Sequence, residues 1–249
     1  MLIKGILFDL YGTLLTSKNS KKAWKNWFLT FYKSLKYYEL NASKEAFAKK
    51  CDGFFTKPEP SKLHKNLTVY ENRIKYFSDN LGLKLKESEI KETALACVDA
   101  WHKYIKIDLE TIPLLSELKK SKKIALITNF DHPPYIYSIL NKYNFIEYFD
   151  EITISGEVGF KKPDPSIFSI TLKKMKLESQ EVIYIGDSKE DIIGATKAGI
   201  KPILIQRKKI IGNDYGAKNT FKFMNAEDLK QFNYTKISNL KEILELVKI

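Results

Sequence analysis

The sequence predicts an α/β fold in which a parallel sheet is interrupted, after its first strand, by a four-helix insertion. Three observations support this. An apolar run near the N-terminus ends in a carboxylate at Asp9. Helical periodicity then covers residues 17–106, which is typical of a helical insertion. From Thr111 onward, short β-rich runs alternate with single helical patterns, which is typical of a parallel sheet covered by helices.

The composition is that of a globular protein. The chain has 249 residues, 44% of them hydrophobic and 29% charged, which allows a sizeable core. No apolar run is long enough to span a bilayer, and no secretory signal pattern opens the chain, so we expect a cytoplasmic protein without membrane association. The thiols of Cys51 and Cys97 are expected to be buried as small apolar groups, with a disulfide between them as the alternative.

The charge balance indicates the kind of partner. A formal net charge of +12 would attract anions, so we expect a small anionic substrate. Nucleic acid is not expected, because Arg73 and Arg207 are the only arginines and the chain has no aromatic-basic binding motif. Nothing in the sequence indicates an oligomeric state.

The elements follow from their patterns in chain order. The first strand lies within the run Leu2–Asp9. Residues 18–40 carry Trp24, Trp27 and Phe31 at helical spacing, and similar stripes predict helices over residues 43–55, 67–80 and 87–105. Further strands are predicted over residues 123–129, 151–155, 181–187 and 201–206. Residues 210–232 are predicted to be loops with a short helix near Ala226, and residues 237–247 a final helix. The predicted domains are therefore a core of residues 1–16 and 107–249 and a helical insertion of residues 17–106.

Polar side chains follow the ends of four predicted strands. Asp9 ends the first, Thr128 and Asn129 end the second, Lys162 follows the third, and Asp187 with Asp191 follows the fourth. Because the carboxyl ends of parallel strands meet at one edge, these groups should converge. They comprise one carboxylate that can attack, a hydroxyl and a cation that can hold an anion, and two carboxylates suited to Mg²⁺. This set of charges predicts phosphoryl transfer.

Each of these residues has an ordinary explanation when taken alone. Asp9 is compatible with a turn residue, Thr128 with a plain strand residue, Lys162 with a solvated turn and Asp187 with a helix N-cap. These readings do not explain why all four stand at successive strand ends.

Four short motifs, in this order, resemble those of the haloacid dehalogenase superfamily. They are Asp9-Leu-Tyr-Gly-Thr13, Thr128, Lys162-Pro163 and Gly186-Asp-Ser-Lys-Glu-Asp191. The resemblance implies a Rossmann-like core, and it implies that the four-helix insertion between motifs one and two is a cap domain. It also implies that Asp9 is a nucleophile forming a covalent aspartyl intermediate, and that Thr128 and Lys162 bind the transferring group. The implied substrate-binding residues are Tyr11, Gly12, Thr13 and Asn129. Mg²⁺ would be held by Asp9, Asp187 and the backbone carbonyl of Tyr11, with Asp191 nearby or acting through water.

Tyr11 departs from the pattern of the family's phosphatases, which usually carry an acid/base Asp two residues after the nucleophile. Tyr at this position resembles the metal-independent dehalogenase branch, whereas Asp187 resembles the phosphatases. We weight Asp187 more, because carboxylates packed together without a cation repel one another, and we predict a Mg²⁺-dependent phosphatase acting on a small phosphorylated metabolite. The alternatives are a 2-haloacid dehalogenase and a non-catalytic binding module.

The missing acid has a further consequence for the substrate. A tyrosine is a weak acid near neutral pH, so we expect a substrate with a good leaving group, such as an acyl or aryl phosphate. His132 is expected to be a solvated loop histidine, with a role as the missing proton source as the alternative.

Overall fold

The computed structural model describes residues 2–60, 63–207 and 229–247. These residues divide into two compact units. The core unit contains residues 2–16, 106–207 and 229–247, and the helical unit contains residues 17–60 and 63–105. The α/β fold with a four-helix insertion is therefore confirmed.

The strands of the described residues form one large and one small sheet. In chain order they are β1 (Gly5–Phe8), β2 (Leu15–Ser17), β3 (Ile105–Ile107), β4 (Lys123–Thr128), β5 (Glu151–Ile154), β6 (Val182–Gly186), β7 (Lys201–Ile205) and β8 (Thr235–Ile237). The large sheet has the order β5-β4-β1-β6-β7-β8, and each neighbouring pair in it is parallel. Strands β2 and β3 form the small sheet.

Strand β1 lies in the middle of the large sheet. Its apolar side chains are fully buried, as expected of a strand that is covered on both faces. The register places Phe8 opposite Leu126 of β4 and Ile185 of β6, so these three strands end close together. The strand order runs outward from β1 in both directions. In open α/β sheets such a switch point is where ligands bind, at the carboxyl ends of the strands.

The helical unit consists of α1 (Ser20–Tyr37), α2 (Lys44–Cys51), α3 (Val69–Asp79) and α4 (Glu87–His102). Side chains of Asn19, Ser43 and Thr68 cap the first three helices by accepting backbone N–H bonds, which satisfies donors that helix starts leave free. The aromatic stripe of α1 forms the core of the unit: the ring centroid of Trp27 lies 5.3 Å from that of Phe31.

Both cysteines lie within the helical unit. They are free and buried, so they behave as the predicted small apolar groups and not as a disulfide. Burial raises the pKa of Cys51 to about 12, which keeps it in the unreactive thiol form.

The core unit adds α5 (Thr111–Lys119), α6 (Pro133–Lys142), α7 (Ser155–Val158), α8 (Pro165–Met175), α9 (Lys189–Lys197) and α10 (Glu242–Leu246). Helices α8 and α9 pack with β1, β4 and β6 in one buried apolar cluster. Within it, the ring of Phe168 meets the ring of Tyr184 edge-on at 4.9 Å. This packing fixes the loops that precede α8 and α9, and both loops carry predicted site residues.

The C-terminal prediction needs correction. The final helix begins at Glu242 and not near residue 237, and β8 (Thr235–Ile237) extends the sheet beside β7. The pattern was missed because three residues are too few for the alternation that identifies a strand. The helix predicted near Ala226 lies outside the described residues.

Candidate active site

Asp9 directly follows β1 at the carboxyl edge of the sheet. Its backbone N–H donates to the Ile185 carbonyl at 2.8 Å, which continues the β1–β6 pairing by one residue. The side chain is buried, with 6% of the residue exposed. The carboxylate is therefore held on a rigid strand end, where a reacting group needs to be placed accurately.

The loop after Asp9 turns sharply at Gly12. This residue has φ +94°, and a Cβ at this position would lie 2.0 Å from Oδ2 of Asp187. The position thus requires glycine for two reasons, a backbone conformation that L-residues rarely adopt and the close approach of a carboxylate. Gly12 allows the Asp187 carboxylate to lie against the loop.

Lys162 joins the carboxylates. Its ammonium lies 2.6 Å from Asp9 Oδ1, 2.7 Å from Asp191 Oδ1 and 2.9 Å from the Tyr184 hydroxyl. The residue is only 5% exposed, so it is not a solvated turn residue. Burial favours the neutral amine, but the two carboxylates outweigh it and raise the pKa of Lys162, which stays charged.

Asn129 fixes the backbone of Lys162. Its Nδ2 donates to the Lys162 carbonyl at 2.9 Å, and its Oδ1 accepts from the Lys162 N–H at 2.8 Å. Both polar groups of the amide are thereby used. The predicted role of Asn129 in substrate binding remains a prediction, and the contact observed is one that orients the lysine.

The positions of Thr128 and Thr13 do not indicate what their hydroxyls do. Thr128 ends β4 and is 1% exposed. Thr13 is fully buried, and its hydroxyl has no hydrogen-bond partner within residues 2–60, 63–207 and 229–247. Both threonines lie at the carboxyl edge of the sheet, and their predicted functional roles stay predictions.

Asp191 lies in the first turn of α9. Its Oδ1 accepts bonds from Lys162 and from the Tyr184 hydroxyl, and its Oδ2 accepts from the Asp187 N–H, the Ser188 N–H and the Ser188 hydroxyl. The N-cap of α9 is Ser188, so the explanation of Asp187 as a helix cap does not hold. Asp191 organises this turn, which leaves Asp187 turned toward Gly12.

Three carboxylates crowd this edge of the sheet. Asp9, Asp187 and Asp191 each offer an oxygen within 4.8 Å of the other two. Burial, with the charge of Asp191, outweighs the Lys162 ammonium and raises the pKa of Asp9 to about 6; burial and both neighbouring carboxylates raise the pKa of Asp187 well above its usual range. Burial also opposes ionisation of Asp191, but Lys162 and its hydrogen bonds lower its pKa.

These carboxylates fit a divalent cation. The donors are all oxygens, which Mg²⁺ prefers, and the single ammonium of Lys162 cannot balance three carboxylates. Asp9 and Asp187 could hold such a cation more readily than Asp191, because both oxygens of Asp191 already accept several hydrogen bonds.

The ring of Tyr11 stacks against the ring of Phe130, with the ring centroids 5.5 Å apart and an angle of 24° between the ring planes. Burial raises the pKa of Tyr11 well above its usual value, and the nearby Tyr135, Tyr143 and Asp9 add to the effect. The phenol is therefore a weaker acid than tyrosine in water.

Two further residues were not predicted. Tyr184 holds both Lys162 and Asp191 through its hydroxyl, and burial raises its pKa well above the usual value, so it remains a donor. Ser188 caps α9 and bonds Asp191. Ser188 follows Asp187 directly and stands three residues before Asp191, which is a recognisable capping-box pattern. No sequence signal identifies Tyr184, since a tyrosine in a buried strand is most often plain core. The expectation that His132 is a solvated loop histidine is wrong, because the residue is buried.

The described helices include none that is both long and apolar enough to cross a membrane. A sequence model of the family described as haloacid dehalogenase-like hydrolase matches residues 3–199.

Among curated proteins, the chain is 26% identical over 259 residues to the glyceraldehyde 3-phosphate phosphatase of Methanopyrus kandleri, covering 99% of this chain and 98% of the relative. Among solved structures it resembles a HAD phosphatase from Thermococcus onnurineus, with a TM-score of 0.65, 23% identity and 98% of each chain covered. It also resembles a 2-haloacid dehalogenase from Pseudomonas syringae, with a TM-score of 0.67, 19% identity and 99% of each chain covered. At these identities the two structures show the fold alone.

Proposed function

The chain belongs to the haloacid dehalogenase-like hydrolases, and from that premise we propose that it is a Mg²⁺-dependent phosphatase acting on a small phosphorylated metabolite. The observation that carries the proposal is the buried Asp9 carboxylate, bonded to Lys162 and close to two further carboxylates. The full-length similarity to a curated phosphatase supports the same activity.

In the proposed reaction, Asp9 is the nucleophile. A carboxylate oxygen of Asp9 attacks phosphorus, and the bond from phosphorus to the ester oxygen breaks, with its electron pair leaving on that oxygen. The resulting aspartyl phosphate is then cleaved when a water oxygen attacks phosphorus, which returns the Asp9 carboxylate and releases phosphate. Lys162 orients Asp9 and offsets the charge of the transferring group, and Thr128 is assigned to binding its oxygens.

The metal would be held by Asp9, Asp187 and the backbone carbonyl of Tyr11. When bound, Mg²⁺ would supply positive charge that stabilises the negative oxygens of the transferring phosphoryl group. We assign Asp191 to holding Lys162 and the turn before α9, with any contact to the metal passing through water, because five hydrogen bonds already occupy its carboxylate.

The leaving group needs a proton unless it is a good anion. Tyr11 stands where an acid would be expected, but its pKa is raised by burial. We therefore propose that acyl and aryl phosphates react faster than alkyl phosphates. Comparing kcat for acetyl phosphate, p-nitrophenyl phosphate and glyceraldehyde 3-phosphate tests this preference, and equal values would contradict it.

Tyr11 also favours a second candidate function, that of a 2-haloacid dehalogenase. Displacing a halide needs no proton on the leaving group, so a weakly acidic phenol two residues after Asp9 would be no handicap. The crowding of Asp187 and Asp191 around Asp9 favours the phosphatase, since a metal-free site has no obvious use for these extra charges.

Hydrolysis of p-nitrophenyl phosphate with Mg²⁺ or with EDTA, run beside halide release from 2-chloropropionate, separates the candidates. We expect phosphate release that stops with EDTA and in Asp9→Asn. The matched control is Asp79→Asn, an exposed aspartate on α3 paired with Lys75, which should keep full activity. Halide release insensitive to EDTA would favour the dehalogenase, and no Asp9-dependent turnover of either substrate would favour a binding module.

A further inference from the structure

Arg207 binds the loop that carries the proposed nucleophile. Its Nη1 donates to the Gly12 carbonyl at 2.6 Å and its Nη2 to the Thr13 carbonyl at 2.7 Å. The adjacent edge of the guanidinium, formed by Nε and Nη2, faces Asp108: Nε lies 3.0 Å and Nη2 2.9 Å from the same carboxylate oxygen. The Arg207 side chain thus links two consecutive loop carbonyls to the carboxylate of Asp108. In the sequence, Arg207 lies 195 residues after Gly12.

Asp108 also bonds the loop directly. Asp108 donates its N–H to the Leu14 carbonyl at 3.0 Å, and the Thr111 hydroxyl donates to that carbonyl at 2.8 Å. The carbonyls of three successive loop residues are therefore held from outside the loop. Within it, the turn is closed by the Gly12 N–H donating to the Leu15 carbonyl at 2.6 Å.

An arginine is needed for this contact. Lysine is the usual cation of this chain, since only two of its 42 basic residues are arginines. The other, Arg73, also donates to main-chain carbonyls, those of Phe54, Lys57 and Pro58, within the helical unit. A guanidinium presents several N–H groups in a fixed plane, whereas an ammonium has no such fork and cannot span neighbouring carbonyls in the same way. These three bonds of Arg73 all leave from Nη1, whereas Arg207 uses Nη1 and Nη2 for two carbonyls and Nε with Nη2 for Asp108.

The charge of Arg207 also reaches the carboxylate cluster. Asp187 lies against Gly12, the residue whose carbonyl Arg207 holds. Its pKa is raised by burial and by the other two carboxylates, and Arg207, like Lys162, acts in the opposite direction.

We infer that Arg207 is a positioning residue of the active site: it fixes the Gly12–Thr13 backbone so that Asp9 and the Tyr11 carbonyl stay aligned with Asp187. This inference rests on the proposed function for its effect on rate, but its effect on the loop does not depend on which substrate the site takes. Misplacing a catalytic group by about 1 Å costs about 10²-fold in rate, so a loosened loop should lower kcat more than it raises KM.

The test compares Arg207→Lys with Arg73→Lys, which makes the same chemical change at the carbonyl-bridging arginine of the other unit. Three quantities are measured for each: the melting temperature, kcat and KM for p-nitrophenyl phosphate with Mg²⁺, and amide hydrogen exchange followed by mass spectrometry. We expect Arg207→Lys to speed exchange in residues 10–15 while β4 is unchanged, and to lower kcat at least about 10-fold with a smaller change in KM. Arg73→Lys should keep the wild-type kcat and the exchange rates of residues 10–15, whatever its melting temperature.

Two outcomes would overturn the inference. One is exchange in residues 10–15 of Arg207→Lys that matches the wild type. The other is faster exchange with kcat within about 2-fold of the wild type, which would show that Arg207 holds the loop but that the reaction does not depend on this. If the wild-type protein hydrolyses no phosphate ester, the proposed function fails, and the exchange data still decide whether Arg207 positions the loop.

Discussion

The Lys162 ammonium lies 2.6 Å from Oδ1 of Asp9, and both side chains are almost fully buried. A buried ion pair adds little net stability over apolar packing, but removing one partner leaves the other charge uncompensated. The contact therefore matters most for what it does to Asp9, which it favours in the ionised form against the effect of burial.

Replacing Lys162 by Met should impair both stability and activity. Asp9 and Asp191 would lose their shared cation, which predicts a loss of about 3–5 kcal/mol in the free energy of unfolding. We expect kcat to fall by about 10²–10³-fold, because charge stabilisation of the transferring group is lost. Denaturant unfolding and steady-state kinetics measure the two effects. The control is Lys161→Met, whose ammonium is more exposed and pairs with Asp131; a similar loss in this variant would contradict the assignment.

Replacing Gly12 by Ala should displace Asp187. The added Cβ would lie 2.0 Å from its carboxylate, and the residue would have to hold φ +94°. Gly82 provides a matched control, because it has φ +79° and nothing within 4 Å of the added Cβ. Gly82→Ala should therefore cost only the backbone strain, about 1–2 kcal/mol, and keep full activity. Gly12→Ala should lose activity and weaken Mg²⁺ binding measured by titration calorimetry; wild-type values for both would show that Asp187 moves aside freely.

Replacing Tyr184 by Phe removes one hydroxyl from the network without changing the ring. Lys162 and Asp191 each lose a hydrogen bond from this group. We expect a loss of about 1–3 kcal/mol in unfolding free energy, since the partners are charged and buried, and a fall in kcat. Tyr137→Phe is the control, because its hydroxyl bonds Glu157 at the surface. Equal kcat values for the two variants would show that the Tyr184 hydroxyl does not contribute to the reaction.

The pH dependence of stability follows from the raised pKa values of Asp9 and Asp187. In the metal-free folded protein these groups keep protons that the unfolded chain has already released, so folding is favoured at low pH. This contribution is lost as pH rises from about 4, the value for an unfolded Asp, through the folded-state pKa values, which are about 6 for Asp9 and raised well above the usual range for Asp187. Asp191 has a lowered pKa and acts in the opposite sense, but only below about pH 4.

Under the proposed function Mg²⁺ binds the ionised carboxylates of Asp9 and Asp187, so adding Mg²⁺ should reverse this trend. The rise in melting temperature on adding Mg²⁺ should be small near pH 5 and large near pH 7.5. A rise that is the same at both values would indicate that Asp9 and Asp187 are not the ligands.

The fold and the convergence of the site were predictable because both depend on local patterns. Apolar runs identified five of the six strands of the large sheet, and parallel pairing of these strands then brings Asp9, Thr128 and Asp187 to one edge. The contacts that could not be predicted are those between distant residues. Nothing near Tyr184 signals that its hydroxyl bonds Lys162, and nothing near Arg207 signals that it holds Gly12. Such contacts depend on how loops are packed in three dimensions, which periodicity does not encode. The short strands β2, β3 and β8 were missed for a different reason, since three residues carry too little alternation to identify a strand.

The most direct test of the central claim is to look for the phosphoryl group on Asp9. The protein is mixed with p-nitrophenyl phosphate and Mg²⁺, quenched in acid during turnover, and digested for mass spectrometry. The account predicts that the peptide containing Asp9 gains the mass of one phosphoryl group, and that Asp9→Asn shows no such gain while Asp79→Asn does. A phosphoryl group on another residue, or phosphate release at the wild-type rate by Asp9→Asn, would contradict it.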